Sequence, residues 1–306
     1  MLTKLISRHR TLFIIAILLL GFVLRAHNYT TWPREGATFD EYAWTWLGIN
    51  LIQNGTPISW SPHPQYKIRT HYVSPGGARF CLVQPYLEHP PLFGLVAGGY
   101  ALARGTPDMY NVSLGVMREL ALILGVISIY LVYVLATSLY GSAVGIASSF
   151  FYAIIPTIVV GSRILQNENF FIPLFLVILI TLKKYLDSGK WGHLIAAAIL
   201  SGLATLAKVP WVAATAAGIL ILVYRKKYKA AAWYGGIALF LFSMFLVYGI
   251  AWDKELFFSL WRLQLNRYDM VFDSIFALVQ QPYLVDRYYT DGWIYAGWIA
   301  FFVLLT

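Results

Sequence analysis

Asp40 and Glu41 stand side by side in the stretch Thr38-Phe39-Asp40-Glu41-Tyr42-Ala43-Trp44, in a chain where charged residues make up only 12%. An ionised carboxylate next to apolar and aromatic surface is chemically equipped to act as a general base or to ligate a metal. Thr38-x-x-Glu41 has the spacing of a capping box, with Thr38 capping a helix and Glu41 reaching back to the N–H of the cap. That spacing predicts a structural use for Glu41. Asp40 is not needed for the cap. It lies in the first turn, where the helix dipole and free N–H groups favour an anion, and it is the residue left to do chemistry.

Three further clusters are candidates. Glu88-His89-Pro90-Pro91 opens a second helical patch, proline being suited to a first helical turn. Glu88 and His89 precede the prolines, placed to meet a phosphate or a metal. Arg163-Ile164-Leu165-Gln166-Asn167-Glu168-Asn169 is a short polar turn between apolar runs. Ionisable residues are costly at membrane depth, so Arg163 and Glu168 are expected to face each other, a partner or a cavity. Lys208 ends an apolar run and is a candidate for an anionic ligand such as a lipid phosphate. The candidate catalytic acids are thus Asp40, Glu41 and Glu168, and the candidate phosphate-binding residues are Lys208, Arg163 and His89. Asp40, Glu168 and Glu88 are hard oxygen donors suited to magnesium or manganese, though no spacing rule sets a site. Arg118-Glu119 reads as an adjacent pair at a span edge. Arg262, Arg267 and Arg287, among Tyr268, Tyr288 and Tyr289, read as a solvated loop.

The elements that must position these residues are mostly membrane spans. The chain of 306 residues is 59% hydrophobic, with a mean hydropathy of +0.63. Residues 12–24 and 170–182 hold no charge. Such runs predict an integral membrane protein. Lys4, Arg8 and Arg10 before an apolar core imitate a signal peptide. No small-x-small cleavage site follows, so the run reads as a retained first span, Leu12 to Ala26. A polar-aromatic segment over 27–111 carries two helical patches. One runs from Thr38 to Gln53, with a polar stripe at Glu41, Thr45 and Gly48 that suits a helix lying along the membrane surface. The other follows Pro90-Pro91 to Ala103. Spans two to seven are read at 113–139, 143–161, 169–184, 193–207, 211–224 and 231–250. A charged loop is expected over 251–292. An eighth apolar run starts at Trp293 and stops at Thr306 in mid-span, which predicts a longer natural chain. The lone Cys81 reads as inert.

Charge tests this layout. The N-terminus and the 183–193 and 225–230 loops hold ten basic residues against Asp187 alone, an excess equal to the whole net charge of +9. The positive-inside rule puts these segments in the cytoplasm. The basic balance is then an orientation signal, and no nucleic-acid surface is left to explain. The Asp40 segment, the Arg163–Asn169 turn, the turn at Lys208 and the 251–292 loop fall together on the outer side. No phosphate-cradling glycine loop, HExxH or CxxC is present, which favours a lipid-linked donor over a nucleotide sugar.

In this order, the motifs resemble the GT-C glycosyltransferases, the group of protein O-mannosyltransferases and aminoarabinose transferases. One span is followed by Phe39-Asp40-Glu41-Tyr42-Ala43, then Glu88-His89-Pro90-Pro91-Leu92, Arg118, Arg163 with Glu168, and Gly202-Leu203-Ala204-Thr205-Leu206-Ala207-Lys208. The resemblance implies an all-α polytopic transmembrane bundle over 1–306, with juxtamembrane helices in the first outer loop. It implies that a sugar moves, with inversion, from a polyprenyl-phosphate donor to a lipid, polysaccharide or protein acceptor at the outer membrane face. It carries the catalytic role onto Asp40, a second acid onto Glu168 and a lipid-phosphate role onto Lys208. His89 stands where some relatives have lysine. A transporter or lipid flippase would also place charges in a membrane. Ionisable residues gathered at one face, without an inverted repeat, favour the transferase.

Overall fold

A computed structural model describes residues 2–36, 38–74 and 77–266. The elements run α1 (Leu2–Ala26), α2 (Asp40–Asn54), β1 (Ser59–Trp60), β2 (Ile68–Val73), β3 (Arg79–Gln84), α3 (Leu92–Ala103), α4 (Leu114–Tyr140), α5 (Ser142–Ile154), α6 (Pro156–Gly161), α7 (Asn167–Ser188), α8 (Trp191–Ala207), α9 (Val212–Tyr224) and α10 (Tyr228–Asn266). Stretches of α1, α4, α7 and α10 are long and apolar enough to cross a membrane, while α3, α5, α8 and α9 are apolar but shorter. Large apolar side chains such as Leu19, Val23, Leu239 and Val247 are exposed on them. Faces of that kind suit hydrocarbon rather than water. The fold is a polytopic helical bundle, and the chain is an integral membrane protein.

The chain divides into two compact units, Met1–Leu256 and Phe257–Thr306. In the second, Phe257–Asn266 is helical. The expected loop over 251–292 is therefore helical through its first third. Arg267, Tyr268, Arg287, Tyr288, Tyr289 and the run from Trp293 lie outside the described residues.

The segment between α1 and α4 differs most from expectation. Between its two helices it carries a three-stranded antiparallel sheet in the order β1-β3-β2. Ser59 faces Val83, and His71 faces Cys81. Alternation along β3 turns Phe80 and Leu82 inward, and Phe80 meets Phe39, Tyr42 and Trp46 of the α2 segment. The helix α2 is thereby covered. Every residue from Glu41 to Asn50 is buried, Trp44 and Trp46 included. The expected surface-lying helix with a polar stripe is instead the core of this segment.

Two other corrections are local. The cap of α2 is Phe39, which makes no side-chain cap bond. Thr38 Oγ1 accepts from Asp40 N at 3.2 Å, and Glu41 does not reach back. The capping box is not formed. The third span expected over 143–161 breaks at Pro156, which has no N–H to offer the carbonyl of Tyr152. Arg25 repairs the break. Its Nη2 donates to Tyr152 O at 3.3 Å, and its Nη1 to Ala153 O and Gly21 O at 3.0 Å.

Helices α2 and α3 cross with their backbones in contact. A Cβ on Gly48 would stand 1.8 Å from Gly94 O, and one on Gly98 would stand 2.3 Å from Ile49 N. Only glycine fits such a crossing. It locks the helix bearing Asp40 against the one that follows Glu88-His89.

Candidate functional site

Glu41 is the fixed point of this end of the bundle. Its carboxylate receives Arg118 Nε and Nη2, each at 3.0 Å, and both side chains are fully buried. Oε1 also accepts Leu165 N at 3.0 Å. The remaining donors of Arg118 reach Tyr29 O at 2.9 Å and Pro33 O at 2.6 Å. One carboxylate thus gathers α2, α4 and the turn before α7. A two-pronged guanidinium–carboxylate pair is planar and directional, so it sets the angle of the first turn of α2 as well as its place. Burial pushes the Glu41 carboxyl up, while Arg118 and the Leu165 amide pull it back. Arg118 is accordingly not paired with Glu119, its neighbour in sequence. Glu119 takes Arg104 Nε at 3.0 Å.

Asp40 opens the same turn and is exposed. Its charge and that of Glu88 both act on Tyr86, whose phenol is raised first by burial and then by these acids and Tyr66. Around Glu88 lies a polar cluster absent from the sequence reading. His63 Nε2 is 3.5 Å from Glu88 Oε2. The Tyr66 hydroxyl feels the Glu88 charge and accepts Leu87 N at 3.3 Å. Burial, then the Glu88 charge, raises Tyr66 well above the usual tyrosine value, so its hydroxyl stays a donor. His89 lies against Trp44, ring centroids 5.1 Å apart, and closer to it than to Tyr86. Neither His63 nor the tyrosines had a sequence signal. They sit in a loop rich in aromatic residues, with nothing in their spacing to single them out.

The other end of the site is built on α7 and α8. Glu168, in the first turn of α7, accepts Lys208 Nζ at 2.8 Å, and both remain partly exposed. Lys208 also lies over Trp211, which stacks on Phe171 at 4.0 Å. Asn167 Nδ2 donates to Ala207 O at 2.9 Å, tying the start of α7 to the end of α8. Arg163 is not part of this pair. Its Nη2 donates to Leu24 O at 2.5 Å and its guanidinium lies over Trp32, so it serves the end of α1. Nor do Asp40, Glu88 and Glu168 form a ligand set. Among the described residues no three His, Cys, Asp or Glu side chains are grouped to hold a metal ion, Glu168 being turned to Lys208 and Glu88 to His63 and Tyr66.

Residues 88–248, more than half of the chain, match the profile of a family described as dolichyl-phosphate-mannose-protein mannosyltransferase. The match begins at Glu88, so α2 lies upstream of it. The crystal structure of the Archaeoglobus fulgidus oligosaccharyltransferase, in complex with Zn and sulfate, is similar over 87% of this chain, at 14% identity and a TM-score of 0.48. The chain spans 40% of the length of that protein. No match was found among curated protein sequences.

Proposed function

Because the chain belongs to the dolichyl-phosphate-mannose-protein mannosyltransferase family, and so to the GT-C glycosyltransferases, we propose that it moves a sugar from a polyprenyl-phosphate donor to an acceptor at the outer membrane face. Asp40 takes the proton of an acceptor hydroxyl. The freed oxygen attacks the anomeric carbon from the side opposite the phosphate. The carbon–oxygen bond to the phosphate breaks, its electrons leave with the polyprenyl phosphate, and the anomeric centre inverts. Lys208 meets the phosphate. Its bond to Glu168 is partly exposed, and an exposed pair is weak enough to be exchanged for an incoming anion. The acceptor is a lipid, a polysaccharide or a protein.

The supporting observation is the opposite fate of two adjacent acids. Glu41 is held in a buried, two-pronged ion pair, and Asp40 is exposed on the turn that this pair holds still. A base on a rigid mount loses little entropy in reaching its proton. The test uses the full-length protein in liposomes with polyprenyl-phosphate sugars and extracted acceptors. Asp40→Asn lowers transfer by about two to four orders of magnitude, the range for a general base, and leaves the thermal midpoint unchanged. Full activity in that variant would remove Asp40 from the mechanism.

A further inference from the structure

At the end of the bundle opposite this site, four helix ends meet. Leu182, Tyr185, Leu194, Leu222, Ala231 and Tyr234 form their shared core. Contacts between cations and rings close the two loops over it. Lys227 lies over Tyr185 at 5.5 Å and Lys229 over Trp191 at 6.0 Å. The loops carry Lys183, Lys184, Lys190, Arg225, Lys226, Lys227 and Lys229 against a single acid, Asp187, which is bonded to Lys183 at 2.6 Å. Six positive charges are left over at one rim. Orientation explains why they are on this side, but not why they adjoin the next feature.

The first turns of α10 present two faces. Ala230, Ala231, Tyr234 and Ala238 point into the bundle and are buried. Lys229, Ala232, Trp233, Gly236 and Phe240 fall at helical spacing along the other face. Trp233 is 57% and Phe240 66% exposed. Between them Gly236 leaves a notch, with nothing within 4 Å of where its Cβ would stand among the described residues. Ala232, Trp233, Gly236, Ile237 and Phe240 line a groove of about 390 Å³, almost wholly apolar. Lys229 lies one turn before Trp233 on the same face of α10, its ammonium over Trp191. A basic rim one helical turn before an apolar groove offers the two halves of one ligand class.

We infer that this groove binds an anionic glycerophospholipid, its phosphate at Lys229 with Arg225 and Lys226, and one acyl chain between Trp233 and Phe240. The site rests on the membrane placement of the chain and not on the transferase reading. A basic residue near an anionic lipid surface favours it about five-fold, and the notch adds a fixed place for the chain.

The test follows tryptophan emission of the full chain in nanodiscs of zwitterionic lipid. These are doped with either phosphatidylglycerol or phosphatidylcholine brominated on the acyl chain, and Trp233→Phe supplies the part of the signal due to Trp233. Brominated phosphatidylglycerol is expected to quench that part several-fold more than brominated phosphatidylcholine. Lys229→Gln should reduce the preference about five-fold. Gly236→Leu, which fills the notch in open space and leaves every charge in place, should abolish it. Equal quenching by the two lipids overturns the proposal, leaving only bulk lipid at that face. So does an absence of quenching of Trp233 by either, which means that protein covers the groove, be it a second copy or residues 267–306. An unchanged preference in Gly236→Leu overturns it too, leaving only a diffuse attraction to the basic rim. Far-ultraviolet circular dichroism of each variant guards against loss of the fold.

Discussion

Removing the Glu41 charge strands Arg118 in a place without solvent. Glu41→Gln is therefore expected to cost about 3–5 kcal/mol, the penalty for breaking a buried pair from one side, and to lower the thermal midpoint in detergent. Adding Arg118→Gln to that variant recovers part of the loss, since the uncompensated charge leaves with it. Strictly additive losses would show the two residues to be uncoupled. This is the reverse of what is expected of Asp40→Asn, which should spare stability and remove transfer. The sequence makes the division between the two acids readable only in outline. The spacing Thr38-x-x-Glu41 points to a structural glutamate, and Glu41 is one, yet its partners are Arg118 and the Leu165 amide rather than the cap. Local spacing reports on neighbours within a turn. A partner 77 residues away leaves no trace in it.

The crossing of α2 and α3 carries the geometry from Glu41 to the cluster around Glu88. Gly48→Ala puts a methyl group onto the Gly94 carbonyl, where the neighbour is backbone and cannot turn aside. The cost is expected at the upper end of overpacking, about 3 kcal/mol. Transfer should fall with it, because Asp40 and Glu88 ride on the two sides of the crossing. Normal expression and activity of Gly48→Ala would mean that the two helices slide freely. The helices themselves are legible from sequence, because a long apolar run has few other uses. The sheet is not. β1 is only two residues long and β2 is exposed along most of its length, so neither of these shows a clear alternation. Pro156 is visible in the sequence, but its repair by Arg25 is not, since the guanidinium arrives from a different helix.

At the scale of the whole molecule the charge distribution predicts which end faces the cytoplasm. Cys81 is the only cysteine, so Cys81→Ser gives a background for single-cysteine labelling in intact cells. A cysteine at Lys67, exposed in the first outer loop, should react with a membrane-impermeant maleimide. One at Asp187 should react only after the membrane is opened. The opposite pattern would invert the topology and move the Asp40 site to the cytoplasm. The Glu41 contacts also have a consequence in time. The acid is made first, and its partners follow 77 and 124 residues later. At ribosomal speeds of about 5–20 residues per second, Arg118 follows roughly 4–15 s after Glu41. On the predicted orientation, the segment between α1 and α4 is translocated during that interval with its anchor unmade. Its sheet and aromatic core must hold it together, or a chaperone must. The closing of the ion pair is then the moment at which a tethered loop becomes part of the bundle, and a variant at Arg118 should accumulate as a chain that is inserted in the membrane but open to protease.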